Sequence, residues 1–565
     1  LLQAVILFNP VKAKLHNPDN DLRYLISEIL SFKVAGFEHM NAGNWDGYNS
    51  HFSMATNSFP AGFVRMVKKK LEMGGYNVIT HSRDAPEPTG PKTPKVDEFP
   101  DDHRYKFQPE VVGRVLSLRG MIAQIATGGG KSRVFKLCYS RIGLPTLFLT
   151  SRKSLMYQMA NNFEETMGEW AGYLGDGKWA PNSKGANFAT VGTLAARLEE
   201  KTLETETKKV MDKYYKNLEK KIIEVMRANN LPTETNTLSK VPKLLKQKIA
   251  EVRKSVIAAN PINNDEVRDK IIKTVELSKI KRKETIKFLK TIGFFCLEEA
   301  HEVSGNGYYN ISNACSNAWY RLALTATPFM KDNQEANMRL MACTGPIGIK
   351  VSEKLLINSG ILAKPYFKYI KVEKVPGLTR SASWTKAYKM GITENKKRNN
   401  SVIVEAKEAK SYGLTTMVLV NHTKHGELLK RMMVMNGLKS VFISGKDSQE
   451  QREFALNQLK SGRIDVLIGS TILDVGVDVP SVGMIILAGG GKAEVNLRQR
   501  VGRGLREKKF GPNVAFVVDF EDRNNNHLYR HYKERLDIIS ETEGFCENIV
   551  AKFDYLALGF SKKSK

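Results

Sequence analysis

Cysteine is scarce in this chain. The five that occur in 565 residues, Cys138, Cys296, Cys315, Cys343 and Cys546, form no C-x-x-C pair. That scatter excludes a disulfide-stapled secreted scaffold and a cysteine-based zinc site, and it fits a reducing interior. Long apolar runs are missing as well. No stretch approaches the roughly 20 apolar residues of a membrane helix, so no membrane partner is expected. The opening "LLQAVILFNPVKAKL" has no basic lead-in and no small-residue cleavage site, and it reads as a strand. Acidic residues fall short of basic ones: 59 Asp+Glu stand against 87 Lys+Arg, a formal net charge of +28. Such a balance favours a polyanionic partner, nucleic acid first, with an acidic membrane surface as the plainer competitor that the missing apolar runs count against. What is present is a folded composition, 42% hydrophobic with all three aromatics. The length calls for two to four domains, and a cytoplasmic location is expected.

Residues 1–83 read as a small α/β unit: an alternating strand in "AVILFNPVKAKL", a helix in "DLRYLISEIL", and a second helix in "GFVRMVKKKLEMGGYNV" closed by Gly74-Gly75. The proline- and charge-rich "RDAPEPTGPKTPKVDEFP" reads as a linker, residues 84–102. From 103 to 350, short β-rich runs ("GMIAQIA", "PTLFLT", "GFFCL", "RLALTA") alternate with helical stretches, and the alternation recurs from 351 to 545 in "TTMVLV", "KSVFIS", "IDVLIGS", "GMIILAG" and "NVAFVVDF". Strands spaced by helices imply parallel sheets, so the fold class is α/β with two tandem domains of similar size. Residues 546–565 are expected as a tail. Inside the first domain, 199–290 is lysine-rich and helical in propensity, with breaks at Pro232, Pro242 and Pro261. It reads as a solvated helical insertion, with a basic arm over nucleic acid as the functional alternative.

"MIAQIATGGGKSRVFKLCYS" places a glycine-rich turn between an apolar strand and a helix. Backbone N–H groups of Gly128, Gly129 and Gly130 are suited to cradle phosphates, Lys131 to reach the β and γ oxygens, and the Ser132 hydroxyl to ligate Mg²⁺. Thr127 lies in the same turn. The first glycine of G-x-x-x-x-G-K-[ST] is replaced by Ile125. A second GGGK, in "IILAGGGKAEVNL", has Ala493 after its lysine and no hydroxyl for a metal, so it reads as a crossover turn. "GFFCLEEAHEV" ends a strand on two carboxylates. Glu298 is the candidate Mg²⁺ ligand and Glu299 the candidate water-activating base; an acidic first helical turn is the plainer alternative.

"ATGGGKS", "LEEAH", Thr325 to Thr327 in "TAT", "STILDVGVDVP" and "QRVGRGLR" stand in the order and approximate spacing of superfamily 2 helicase motifs. The resemblance covers residues 103 to 540 and implies two RecA-like domains with ATP between them. By position it implies that Gln108, with Phe107 beside it, reads adenine. It implies that Ser151 and Arg152 in "LTSRKSLMYQ", Thr190 and Thr193 in "ATVGTLAARL", and Thr471 touch the nucleic acid. Gly476 and Asp478 are expected near the nucleotide. Thr325 and Thr327, with His301 as polar partner, resemble the elements that couple hydrolysis to strand movement. Arg503 and Arg506 resemble arginine fingers, supported by Gln499 and Arg500.

"FKVAGFEHMNAGNWDGYNSHF", with Trp45, Asp46 and Gly47, resembles the N-terminal accessory domain of phage UvsW-type helicases, and "SGILAKPYF" is similar to their inter-domain linker. Trp45 is expected as a core anchor before a turn, with direct base stacking as the functional alternative. The resemblance implies an ATP-driven motor on branched DNA in phage replication, recombination or repair, in the host cytoplasm if phage-encoded; the oligomeric state is left open, with a monomer favoured. RNA as substrate, a duplex translocase that separates no strands, and a degenerate nucleic-acid clamp stay open beside it.

Overall fold

The computed structural model describes residues 2–34, 37, 45–94, 96, 102–233, 242–261, 264–299, 305–329, 333–469, 482–491, 497–498, 501–502, 504–508 and 511–563. Residues Gly192–Lys290 form one compact unit and the rest of the chain another.

In the larger unit the N-terminal strands are β1 (Leu2–Phe8), β2 (Lys12–Leu15), β3 (Ser31–Lys33), β4 (Tyr48–Ser50), β5 (Ser58–Pro60) and β6 (Tyr76–Ser82). The stretch expected as one strand is a hairpin. Asn9 and Pro10 break the alternation, and the Asn9 side chain accepts from the amides of Val11 and Lys12 (2.9 and 2.8 Å), turning β1 into antiparallel β2. The four-stranded sheet runs β5-β2-β1-β6, and β3 pairs with β4 apart from it. Its hydrophobic core continues into the next domain. Met338 and Ala342, from the helix Gln334–Thr344, sit in the same cluster as Ile6, Phe63 and Leu71. A Cβ on Gly62 would lie 2.0 Å from the Met341 carbonyl, so only glycine allows this approach. Trp45 is 36% exposed rather than a core anchor. Its indole N–H donates to the Tyr48 carbonyl (2.8 Å), and its ring meets Phe37 edge-on.

The segment read as a linker is pinned along part of its length. Thr89 and Gly90 donate backbone N–H groups to Ile142 and Arg141, and Arg141 and Tyr320 side chains reach the carbonyls of Gly90 and Pro86. Proline removes donors but leaves carbonyls, and these anchor the strap.

The first large sheet comprises β7 (Gly120–Ile125), β8 (Thr146–Thr150), β9 (Gly172–Gly175), β10 (Lys178–Ala180), β11 (Ala186–Thr190), β12 (Phe294–Glu298), β13 (Tyr320–Thr325) and β14 (Ile347–Val351). Its order is β10-β9-β11-β8-β12-β13-β7-β14, parallel except for the β9–β10 hairpin. The strands β8, β11, β12 and β13 are buried along their whole lengths, as continuous apolar runs covered on both faces must be. Burying Arg321 on β13 is tolerated because its guanidinium donates to Ser312 and to the carbonyls of Cys315, Ala318 and Cys343.

The second sheet holds β15 (Lys364–Lys371), β16 (Thr415–Leu419), β17 (Ser440–Ile443), β18 (Val466–Gly469), β19 (Val482–Ile486) and β20 (Val514–Glu521). It runs β15-β20-β19-β16-β18-β17, all parallel. Two parallel sheets with helical crossovers are the tandem RecA-like architecture. The residues expected as a tail pack onto this second sheet: Phe553 and Tyr555 are buried against Phe516, and Tyr555 stacks on Tyr412 at 4.3 Å. Alternating aromatics there supply apolar area that composition alone does not assign to a partner.

The smaller unit contains the helices Leu203–Ala228, Lys243–Ala259 and Asn264–Leu289. Thr202 caps the first in a capping box, and Pro242 stands at the N-cap of the second. Leu218, Ile222, Met226, Ile249 and Val256 form a core of its own.

Candidate active site

In a parallel sheet every strand ends at the same edge, and loops from several strands converge there. Here β13 lies between β12 and β7, with Glu298 paired in register to Leu324 and Thr325 to Gln124. Three sequence-expected features therefore share one edge: the glycine turn after β7, Thr325 at the end of β13, and Glu298-Glu299 at the end of β12. Thr190 pairs with Thr150 on the same edge, one residue before Ser151 and Arg152. Thr193 falls in the Gly192–Lys290 unit. His301, Thr471, Gly476, Asp478, Gln499, Arg500 and Arg503 lie outside the described residues.

The turn after β7 is built for an anion. Gly128 and Gly130 have φ of +93° and +76°, the left-handed region that glycine enters without cost. The helix Lys131–Ile142 starts at Gly130 with no side-chain cap and no acidic residue in its first turn. Its first amides are thus left to a ligand, with the positive end of the helix dipole behind them. Gln108 is fully buried beneath the turn; its side-chain N–H donates to the Gly129 carbonyl (3.2 Å) and its carbonyl accepts from Arg133 (2.6 Å). Phe107 is buried next to it. A Cβ on Gly130 would come 2.5 Å from the Gln108 amide. Ile125, standing where the usual pattern has glycine, is buried at the end of β7, and its methyl group fills the space beside Gly129.

Glu298 is buried, and its Oε2 has no hydrogen-bond partner among the described residues. Burial pushes its carboxyl up to about 7; the Lys131 ammonium opposes that shift and Glu299 adds to it. An acceptor held dry, unpartnered and close to a lysine is fitted to a cation bound with phosphate. Glu299 follows in a left-handed conformation, φ +50°. That geometry is costly for a residue with a Cβ and is characteristic of functional turns. Thr325 and Thr327 are buried, the Thr327 amide donating to the Thr325 hydroxyl (3.2 Å).

The second domain reaches this edge through residues 501–502 and 504–508. A Cβ on Gly502 would lie 2.7 Å from Thr127 Cβ, and one on Gly128 would lie 2.6 Å from Leu362. The Ala363 N–H donates to the Leu505 carbonyl (2.6 Å), and Leu362 bridges to Arg506. Arg506 stands close enough for its charge to lower the Tyr105 hydroxyl, whose net shift is upward through burial. Motif reasoning missed two residues here. Arg133 orients Gln108, and Arg104 spans the cleft to Glu507 (2.8 Å) while holding Asp102 (2.8 Å). Arg104 lies four residues before Gln108 in "HRYKFQ", and that proximity was the available signal. The second glycine turn is a sealed crossover: Tyr388 and Asn421 donate to Gly489, Asn421 to Gly490, and Arg535 to Gly491.

A phosphate turn, paired carboxylates at the same sheet edge one strand removed, and an arginine from a second domain can hold a nucleoside triphosphate and activate water against it. Comparison with known proteins places the chain more closely. Residues 105–330 match the family described as type III restriction enzyme, res subunit, and 396–508 match the helicase conserved C-terminal domain. Among curated relatives, "Putative helicase 22" of Sulfolobus islandicus filamentous virus is 25% identical over 223 residues, 37% of this chain and 39% of that protein. "Putative DNA 3'-5' helicase Rad25" of Halobacterium salinarum is 29% identical over 33% of this chain and 30% of its own length. The pre-mRNA-splicing ATP-dependent RNA helicase PRP28 of Yarrowia lipolytica is 28% identical over 23% of this chain and 22% of its own. The chain thus spans well under half the length of these relatives. Among solved structures, bacteriophage T4 UvsW aligns over 96% of this chain and 97% of that one at 16% identity and a TM-score of 0.42. The helicase MrfA bound to DNA and AMPPNP aligns over 79% and 55% at 12% identity and a TM-score of 0.46. Neither likeness reaches a TM-score of 0.5, and the assignment rests on the two family matches. These stand in sequence order, together cover more than half of the chain, and enclose the carboxylate pair, the phosphate turn and the arginine-bearing segment: the chain belongs to the superfamily 2 helicases.

Proposed function

We propose that this protein is an ATP-driven helicase that remodels branched DNA in phage replication, recombination or repair. The observation that supports this reading best is the convergence of the phosphate turn, Glu298-Glu299 and the described residues 501–502 and 504–508 at one sheet edge. Residues 103–350 and 351–545 act as the two motor halves, and 1–83 acts as an accessory DNA-binding domain. The amides of Gly128 to Lys131 and the Lys131 ammonium hold the triphosphate, and Gln108 reads the adenine edge once its bonds to Gly129 and Arg133 are exchanged for the base. Glu298 and Ser132 would hold Mg²⁺, which when bound neutralises phosphate charge. Glu299 accepts the proton of the attacking water. Arg503 and Arg506 stabilise charge on the transferred phosphoryl group, so closing the two halves completes the site. Thr325 and Thr327, beside both carboxylates and turn, relay the change to Ser151, Arg152, Thr190, Thr193 and Thr471 on the strand.

The test is DNA-stimulated ATPase of Lys131→Ala and Glu299→Gln, together with unwinding across forks, four-way junctions, linear duplexes and RNA. Wild-type turnover in either variant sinks the mechanism, and equal action on every substrate sinks the branched-DNA specificity. The res-subunit match over 105–330 favours a second reading, translocation along duplex without strand separation. Triplex displacement without fork unwinding would support it.

A further inference from the structure

The helix Leu203–Ala228 carries a row of cations that the motor mechanism does not use. At 100° per residue, Lys209, Lys213, Lys216, Lys220 and Arg227 fall within a sector of about 60°. All five are exposed. Leu218, Ile222 and Met226 of the same helix are buried and lie on the opposite face. The row therefore points away from the unit's own core. Its steps are i+4, i+3 and i+4 from Lys209 to Lys220, so these cations stand roughly 5–6 Å apart, where like charges repel, and Arg227 follows two turns further on. Lys209 pairs with Glu199 and Glu206. Among the described residues, Lys213, Lys216, Lys220 and Arg227 have no ion-pair partner; the acids Asp212, Glu219 and Glu224 flank the row without entering it. The row is about 27 Å long at 1.5 Å per residue. It is stiffened by a capped helix packed on the helix Lys243–Ala259, with Arg253 bonded to Glu219 and Tyr214 to the Asn260 carbonyl. Over Gly192–Lys290 there are 24 Lys+Arg against 14 Asp+Glu. A merely solvated helix would intersperse opposite charges along each face. This one concentrates one sign on a straight, rigid line.

We infer that this row is a second nucleic-acid contact, reading no bases and engaging the phosphate backbone with Lys213, Lys216, Lys220 and Arg227. The inference rests on the proposed action on nucleic acid, but not on hydrolysis. A line of cations about 21 Å long from Lys213 to Arg227 matches a polymer bearing one charge per ~3.4 Å of axis on each strand better than it matches a folded acidic protein, whose charges are discrete and mixed.

The test uses the full chain carrying Lys213→Gln, Lys216→Gln and Lys220→Gln, which preserve helix propensity. A control chain carries Lys248→Gln, Lys254→Gln and Lys273→Gln, an equal loss of charge on the other two helices. Affinity for a fluorescent duplex and for a single strand is measured from 50 to 200 mM salt. Each phosphate contact contributes ~0.9 to the duplex salt slope and ~0.7 to the single-strand slope. The row variant should thus lose about 2.7 or 2.1 units of slope, whichever substrate the row engages. Its affinity advantage over that range should shrink by about 40-fold or 20-fold respectively, with nucleic-acid-independent ATPase and circular dichroism unchanged. Equal slopes in the row variant and wild type overturn the inference, as does an identical loss in the control, which would mean diffuse charge. Loss of binding to an acidic protein with nucleic-acid slopes unchanged also overturns it. Failure of Lys131→Ala to lose turnover, with the row slopes still changed, would count against the motor and leave the row standing.

Discussion

Replacing His425 with glutamine tests how the second domain is held together. His425, on the helix Thr423–Met435, is fully buried, and its Nε2 lies 2.9 Å from the Asn399 side-chain oxygen, to which it donates as the neutral tautomer. Burial, then the charges of Arg398 and His422, bring its protonation down to about 3 from an ordinary 6.5. The folded protein therefore refuses a proton that the unfolded chain accepts below pH 6.5. Stability contributed by the neutral ring is complete above that pH and is lost progressively as pH falls toward 3. The loss at pH 5 relative to pH 8 is about 2 kcal/mol, a factor of roughly 30 in the opening constant. Glutamine keeps a donor for Asn399 and carries no titrating group. Hydrogen exchange of amides in Thr423–Met435 at pH 8 and pH 5, wild type against His425→Gln, reads the local opening free energy. Wild type should lose about 30-fold more protection than the variant on acidification. Parallel losses in the two proteins would refute a buried neutral imidazole. His51, whose protonation is brought down to about 4 by burial and by Arg339, lies in the N-terminal unit and cancels in the comparison.

Glu299→Gly and Glu299→Ala should both stop turnover, but the glycine variant should be more stable by about 1 kcal/mol in thermal unfolding, because only alanine keeps a Cβ at φ +50°. Equal stabilities would mean that the left-handed conformation is relaxed in solution. Glu507→Gln, which breaks the Arg104 bridge across the cleft, should raise KM for ATP about two- to fivefold at low salt and less at 0.5 M salt, with kcat little changed. Arg321→Met leaves the carbonyls of Ser312, Cys315, Ala318 and Cys343 without their buried donor and should cost ~3 kcal/mol or more by chemical denaturation. A loss below about 1 kcal/mol would show that water replaces the guanidinium.

The strands of both motor domains were legible because buried parallel strands are short apolar runs, and "GMIAQIA", "RLALTA" and "NVAFVVDF" need no partner to be recognised. The helical breaks at Pro232, Pro242 and Pro261 were legible for the same local reason, since proline acts on its own backbone. What was illegible depends on partners far along the chain. Phe553 and Tyr555 read as tail residues until Phe516 is placed beneath them, and the proline-rich strap reads as a linker until Arg141 and Tyr320 supply donors. Trp45 carries the apolar area of an anchor, yet its indole N–H is satisfied by a turn carbonyl at the surface. The candidate site divides the same way. Glycine turn and carboxylates are local patterns, whereas Arg104 to Glu507 spans 403 residues and only the fold brings the two together.

Glutamate stands at 298, where the helicase motif that "LEEAH" resembles has aspartate before the second carboxylate, and this is the sharpest departure in the site. The position is the last residue of β12, in register with Leu324 and buried, so the backbone gives little freedom to advance a shorter side chain. Aspartate there would withdraw the carboxylate by one methylene from Lys131, which is the group that favours its ionised form. Mg²⁺ in such sites commonly keeps several waters, through which a carboxylate can act at either length. Glu298→Asp should therefore keep kcat within about tenfold of wild type, a 1.4 kcal/mol difference at most, while requiring more Mg²⁺ for half-maximal ATPase. A Mg²⁺ titration of turnover checks both numbers in one experiment. A variant inactive at saturating Mg²⁺ would mean that the surrounding packing has been rebuilt around the longer side chain, with the ion bound directly rather than through water.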